Sequence, residues 1–217
     1  MNIALRGYSV ALLLLAVFFS ACGPGFQAAT DVDQGRQAMF RGDYPTALSY
    51  FQSVADKDPT YSYGTAYRQG VLGFLGRSQY NVGQLPQAQK TLERALTLNR
   101  NDDSARLYLG LALARSDDRQ RGVTEIANSM EGIHQYLEWV TQAHRFSFGQ
   151  FWDPTRKIRS AIESNLAMIR RNEINLPQLI ADGEWLGKEI DEENDRARYD
   201  EQREWRRNNS GDSSTSR

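Results

Sequence analysis

Apolar residues recur along this chain at helical spacing, in blocks separated by glycine, proline and aspartate. Leu48, Phe51 and Val54 mark one stripe, Leu72 and Leu75 a second, Leu92, Ala95 and Leu98 a third, and Ile158, Ile162, Leu166 and Ile169 another. Recurrence at three and four residues is the mark of an amphipathic helix. Read with its turns, the pattern predicts helices over about 31–41, 44–57, 62–81, 85–98, 102–115 and 119–130. Helical patterning continues over 134–145, and Asp153-Pro154 and Asn175-Leu176-Pro177 each read as a helix start, with an acceptor side chain ahead of a proline. No stretch sustains a period of two, so no sheet is expected. One run differs. Residues 8–19 are almost unbrokenly apolar, with Arg6 before them and Ser20-Ala21-Cys22 after. That suits the core of a signal peptide and falls short of the roughly 20 apolar residues of a spanning helix.

The helical blocks repeat. Gly42-Asp43-Tyr44-Pro45-Thr46-Ala47 is followed by Leu48, Phe51 and Val54, and Gly83-Gln84-Leu85-Pro86-Gln87-Ala88 by Leu92, Ala95 and Leu98. Leu75-Gly76 and Leu109-Gly110 stand 34 residues apart, as do Gly83 and the turn at Asp117-Asp118. This arrangement resembles the tetratricopeptide repeat, in copies over about 28–61, 69–102 and 103–136. In the third copy Gly122 stands where alanine is usual. Gly35, Gly76 and Gly110 let a first helix pack closely on its partner, and Gly42 and Gly83 make turns where a positive φ costs little. The extra residues around Tyr61-Ser62-Tyr63-Gly64 read as an extension of the next helix. The expected fold is all-α: a right-handed tetratricopeptide-type solenoid of about three helix pairs, with C-terminal capping helices and a long charged C-terminal helix. The expected domains are a signal peptide (1–21), a lipidated tether (22–30), the repeats (31–136), a helical capping region (137–190), and a charged helix with a disordered tail (191–217).

Phe19-Ser20-Ala21-Cys22 resembles the lipobox of bacterial lipoproteins. The resemblance implies a diacylglyceryl thioether on Cys22, cleavage before it and acylation of the new amine. Cys22 is the only cysteine, so no disulfide can form within one chain. The residue after it is Gly23 and not the aspartate that retains such proteins at the inner membrane. In a Gram-negative host this implies an outer-membrane lipoprotein facing the periplasm. Several acyl chains on one residue anchor firmly, since each buried methylene contributes about 0.8 kcal/mol.

Composition narrows the chemistry. A net charge of −1 provides no basic field for nucleic acid. The two histidines, His134 and His144, are ten residues apart, on nearly opposite faces of one helix, so no metal site is expected. No Gly-x-Ser-x-Gly motif or phosphate-cradling glycine loop is present, and the acidic runs lack calcium-loop spacing. No catalytic residue and no cofactor is therefore assigned. The resemblance implies a concave groove lined by the first helix of each repeat. Its residues would be Arg36, Met39 and Phe40, then Arg77, Tyr80 and Asn81, then Leu111 and Arg115. The arginines would hold acidic or carboxylate groups of a partner, or pair with Asp and Glu of the same chain; both readings stay open. The segment 188–207 is almost wholly polar and reads as a solvated helix with Glu192 facing Arg196 and Asp195 facing Arg198; the alternative is a docking helix anchored by Trp185, Tyr199 and Trp205. The aromatic loop 146–152 is a candidate internal ligand for the groove. Two functional classes stay open: a lipid-anchored periplasmic scaffold that binds an envelope protein or peptide, and an accessory or cryptic enzyme of cell-wall or polysaccharide metabolism.

Overall fold

The computed structural model describes residues 24–64 and 67–211, with side chains over 26–64 and 67–207. The expected signal peptide, Cys22, Gly23 and the last six residues lie outside the described residues. Six helices form three antiparallel pairs: α1 (Pro24–Phe40) with α2 (Tyr44–Lys57), α3 (Val71–Asn81) with α4 (Leu85–Leu98), and α5 (Asp103–Ala114) with α6 (Arg119–Ala143). Neighbouring pairs stack, α2 on α3 and α4 on α5, and the first helices α3 and α5 also touch. After α6 come a 3₁₀ turn (Phe148–Phe151), α7 (Lys157–Arg170) and α8 (Leu176–Gly211).

Local chemistry explains the starts and stops. Gly42 and Gly83 turn with φ of 77° and 80°, where a side chain would be strained. The Asp43 carboxylate caps α2 by accepting from the Thr46 amide at 3.3 Å, with Pro45 in the first turn. Asp102 caps α5 through the Ala105 amide at 2.9 Å and also accepts from the Gly70 amide at 2.9 Å. Each pair closes through a glycine. A Cβ on Gly35 would lie 2.8 Å from the Phe51 ring, and one on Gly76 would collide with Leu92. In the third pair the contact is backbone on backbone: a Cβ on Gly110 would lie 2.7 Å from the Ile126 nitrogen and 2.9 Å from the Gly122 carbonyl oxygen. Gly122 therefore replaces the usual alanine because two helix backbones meet there. Phe51 and Phe74 stack at 5.2 Å across the first two pairs.

Several expectations change. Residues 62–70 do not extend α3. Ser62 and Tyr63 pair antiparallel with Gly70 and Gln69, a two-residue ladder too short to leave a period-two signal. α1 begins at Pro24, so helix takes up most of the segment expected as tether. α6 runs unbroken to Ala143, past the repeat boundary expected at 136. Asp153 and Pro154 do not open α7. Asp153 holds a left-handed φ of 40°, and its carboxylate reaches forward to the amides of Ile158 and Arg159 at 3.0 and 3.1 Å, so the helix starts at Lys157. α8 continues to Gly211, through the first residues of the expected disordered tail.

Two measurements check this packing. Gly110→Ala puts a methyl against α6 backbone, which cannot swing aside as a side chain can. It is expected to cost about 1–3 kcal/mol, read from the denaturant midpoint, and an unchanged midpoint would mean that α5 and α6 stand further apart. The second concerns Asp103. Burial lifts its carboxyl from 3.8 to about 6, against the pull of Arg106 and with help from Asp102. The native state then holds a proton that the unfolded chain has lost, so this group's contribution to stability grows as pH falls from about 6 toward 3.8 and vanishes as pH rises. Asp103→Asn should flatten the stability profile across that window, and a profile superimposable on wild type would contradict the placement.

Candidate binding groove

The groove formed by the first helices holds a segment of the same chain. α8 lies along it, and the arginines expected to meet a partner meet α8 instead. Arg36 donates from one terminal nitrogen to both carboxylate oxygens of Asp195 at 3.0 Å and from the other to the Tyr63 hydroxyl at 3.2 Å. Arg77 is paired with Asp191, which also accepts from the Gln69 amide at 2.7 Å. Arg115 reaches Glu184 at 3.3 Å, and the Tyr80 hydroxyl donates to the same carboxylate at 2.5 Å. Glu184, Asp191 and Asp195 are spaced by two turns and then one, so a single face of α8 carries all three.

Closeness comes from small residues. A Cβ on Gly183 would lie 2.8 Å from Leu111, and one on Gly187 would lie 2.5 Å from the Tyr108 hydroxyl. α8 therefore settles directly onto α5, burying Leu179, Leu186, Ile190 and Ala197. Arg36 and Arg77 are 4% and 6% exposed. Of the two readings open from sequence, exposed charges for a partner or pairing within the chain, these two arginines follow the second. Aromatic faces replace the water they lose: Arg36 lies over Tyr63 at 4.7 Å and Arg77 over Tyr108 at 4.8 Å. Burial works against the charge on Arg36, yet Asp191 and Asp195 outweigh it and its pKa rises. Burial lifts the Tyr108 phenol to about 12, despite the nearby Arg77. Within α8 the expected pairs give way to others. Asp195 is drawn to Arg36, Glu192 meets Lys188 at 3.5 Å, and Arg196 meets Glu193 at 2.6 Å.

α8 does not fill the groove. Where α1, α3 and α5 end, a cavity of about 590 Å³ remains between them and α8. Met39, Phe40, Arg77, Tyr80, Asn81 and Arg115 line it, so six residues named from sequence converge there. Arg36 and Leu111, the other two, lie under α8. Sequence reasoning missed Arg41, on the turn between α1 and α2, Tyr44, the first residue of α2, and Trp185 and Lys188, which reach in from α8. Arg41 is exposed and forms no ion pair among the described residues. Glu184 is the one carboxylate lining a cavity that four cationic side chains share. The aromatic loop is elsewhere: its 3₁₀ turn packs on α6 and α8, and Trp152 is buried against Tyr136 at 5.3 Å. Among the described residues no group of three or more His, Asp or Glu could hold a metal, and no helix is long and apolar enough to cross a membrane.

Stacked helix pairs, a glycine at each close approach and a concave face built by first helices together describe one repeat architecture. A tetratricopeptide-repeat family model matches residues 75–129. The match begins at Leu75-Gly76 in α3 and ends in α6, spanning the second and third helix pairs. The first pair lies outside it but repeats its geometry, with Gly35 against Phe51 as Gly76 is against Leu92. No curated protein matches the chain. The tetratricopeptide repeat is a protein-interaction module, and here its groove already holds one helix.

The buried pair between the repeats and α8 can be tested. Asp191→Ala strands the Arg77 charge in the groove and is expected to cost about 3–5 kcal/mol. Replacing both partners, Arg77→Met with Asp191→Leu, should recover most of that loss. If Asp191→Ala unfolds at the wild-type denaturant concentration, α8 does not rest on Arg77 in solution.

Proposed function

We propose that this protein is a non-catalytic, lipid-anchored scaffold of the bacterial envelope that captures a segment of a partner protein at the open end of its repeat groove. The observation that carries the reading is the residual cavity, where Arg41, Arg77, Arg115 and Lys188 surround a space walled by Phe40, Tyr80 and Trp185. Such a lining suits a short segment that brings a carboxylate and an apolar or aromatic side chain. The chain supplies its own precedent for that chemistry, since α8 offers acidic groups to the same row of arginines. The repeat architecture supports protein binding in general terms. The place of action rests on the lipobox-like Phe19-Ser20-Ala21-Cys22 and on Gly23. In a Gram-negative host, acylated Cys22 would hold the repeats at the outer membrane on the periplasmic side.

Both halves of the reading have a test. Cys22→Ala should abolish labelling by an alkyne fatty acid and move the protein out of the membrane fraction; equal labelling would remove the anchor. Arg41→Glu combined with Lys188→Glu reverses two exposed charges at the cavity and should reduce partner co-purification from detergent-solubilised envelopes by about tenfold, the equivalent of about 1.4 kcal/mol. Thermal stability should hold, because exposed charges contribute little to folding. An unchanged set of partners would exclude the cavity as the docking site.

A further inference from the structure

A second cleft shares no lining residue with the groove cavity. It lies between the start of α5 and one face of α6, with a volume of about 690 Å³, within the range of ligand clefts, about 300–1,000 Å³. Asn128, Gly132, Gln135 and Trp139 succeed one another along that face at three- and four-residue steps.

Trp139 is 55% exposed. It is nonetheless oriented, meeting His144 edge-on at 5.0 Å and Tyr136 at 6.1 Å. Tyr136 also lines the cleft, and its hydroxyl oxygen is buried with no hydrogen-bond partner among the described residues. Five amides elsewhere on the surface are committed. Gln27, Gln37, Gln52, Gln142 and Gln178 each donate to a carboxylate on their own helix. In the cleft the side chains of Asn101, Asn128 and Gln135 form no hydrogen bond among the described residues. The Asp103 carboxylate lies against Gly132, where a Cβ would collide with it. Arg100 and Arg106 are balanced by Asp103 and Glu131, so the lining carries no excess of either sign.

We propose that this cleft binds a neutral oligosaccharide, with a sugar ring laid on the Trp139 indole and its hydroxyls shared among Asn128, Gln135 and Asp103. A sugar hydroxyl both donates and accepts, as a free amide does. The C–H face of a pyranose is apolar and slightly positive, and the indole face is negative. An acidic peptide has no reason to choose a charge-balanced cleft over the cationic cavity on the groove. This assignment is independent of the proposed partner site: it uses other residues and another ligand chemistry.

The test is calorimetric titration of the full chain, purified in detergent, with chitotetraose and with cellotetraose. Saturable binding of either sugar is expected. Trp139→Ala should weaken it by about tenfold, with a thermal midpoint close to wild type. Gln135→Ala changes an exposed amide outside the packing and should also weaken binding, so a folding defect in the tryptophan variant would not conceal the result. No heat from either sugar at millimolar concentration, wild-type affinity in both variants, or saturation of the cleft by polyglutamate in place of sugar would each overturn the assignment.

Discussion

The ion pair of Arg77 with Asp191 is the contact on which the rest of the structure depends. Both groups are almost fully buried, at 6% and 2% exposure, and neither could be left alone there. The pair joins α3, in the middle repeat, to α8, near the chain's end. Gln69 completes the carboxylate and the Tyr108 ring covers the guanidinium. Once that point is fixed, Asp195 falls against Arg36 and Glu184 against Arg115. The register of α8 along the groove is then determined by three charges, because a shift by one residue would turn all three away. Apolar burial at Leu186 and Ile190 supplies attraction without direction; the charges supply the direction.

A second consequence is a division of the concave face. Gly183 and Gly187 let α8 sink onto Leu111 and Tyr108, closing the part of the groove with the strongest apolar lining. What remains open is the end where the first helices stop, where four cationic side chains and one carboxylate, Glu184, line the space. The cavity left open is therefore a product of two elements: the repeats, which provide Tyr80 and Arg115, and a terminal helix that provides Trp185 and Lys188.

The segment between α6 and α7 ties the far side of α8 to the repeats. Asp153 accepts from the Ile158 and Arg159 amides and from the Arg159 side chain, while its own amide donates to Glu193 on α8. Arg159 continues to Glu138 at 2.9 Å. A left-handed backbone at Asp153 persists because these bonds over-determine it. Trp152, next in line, is buried between Tyr67 and Tyr136. Held by the groove on one face and by Glu193 on the other, α8 is a fixed member of the fold.

The sequence by itself determined the helices, the turns at Gly42 and Gly83, the close approaches at Gly35, Gly76 and Gly110, and six of the residues that meet at the cavity. These are local or periodic features. A turn needs its glycine wherever it lies, and a repeat writes the same spacing twice. The sequence also suggested what the described residues do not include, the signal peptide and the lipid on Cys22. Tertiary structure alone decided that the charged helix lies in the groove. Its partners stand 114 and 159 residues away, a separation that no local period encodes. A charged segment reads as solvated because isolated charge belongs in water; only the row of buried arginines reverses that preference. The short ladder at 62–70 and the forward cap of Asp153 escaped for the complementary reason. Each rests on a few backbone bonds whose partners become neighbours only after the chain has folded.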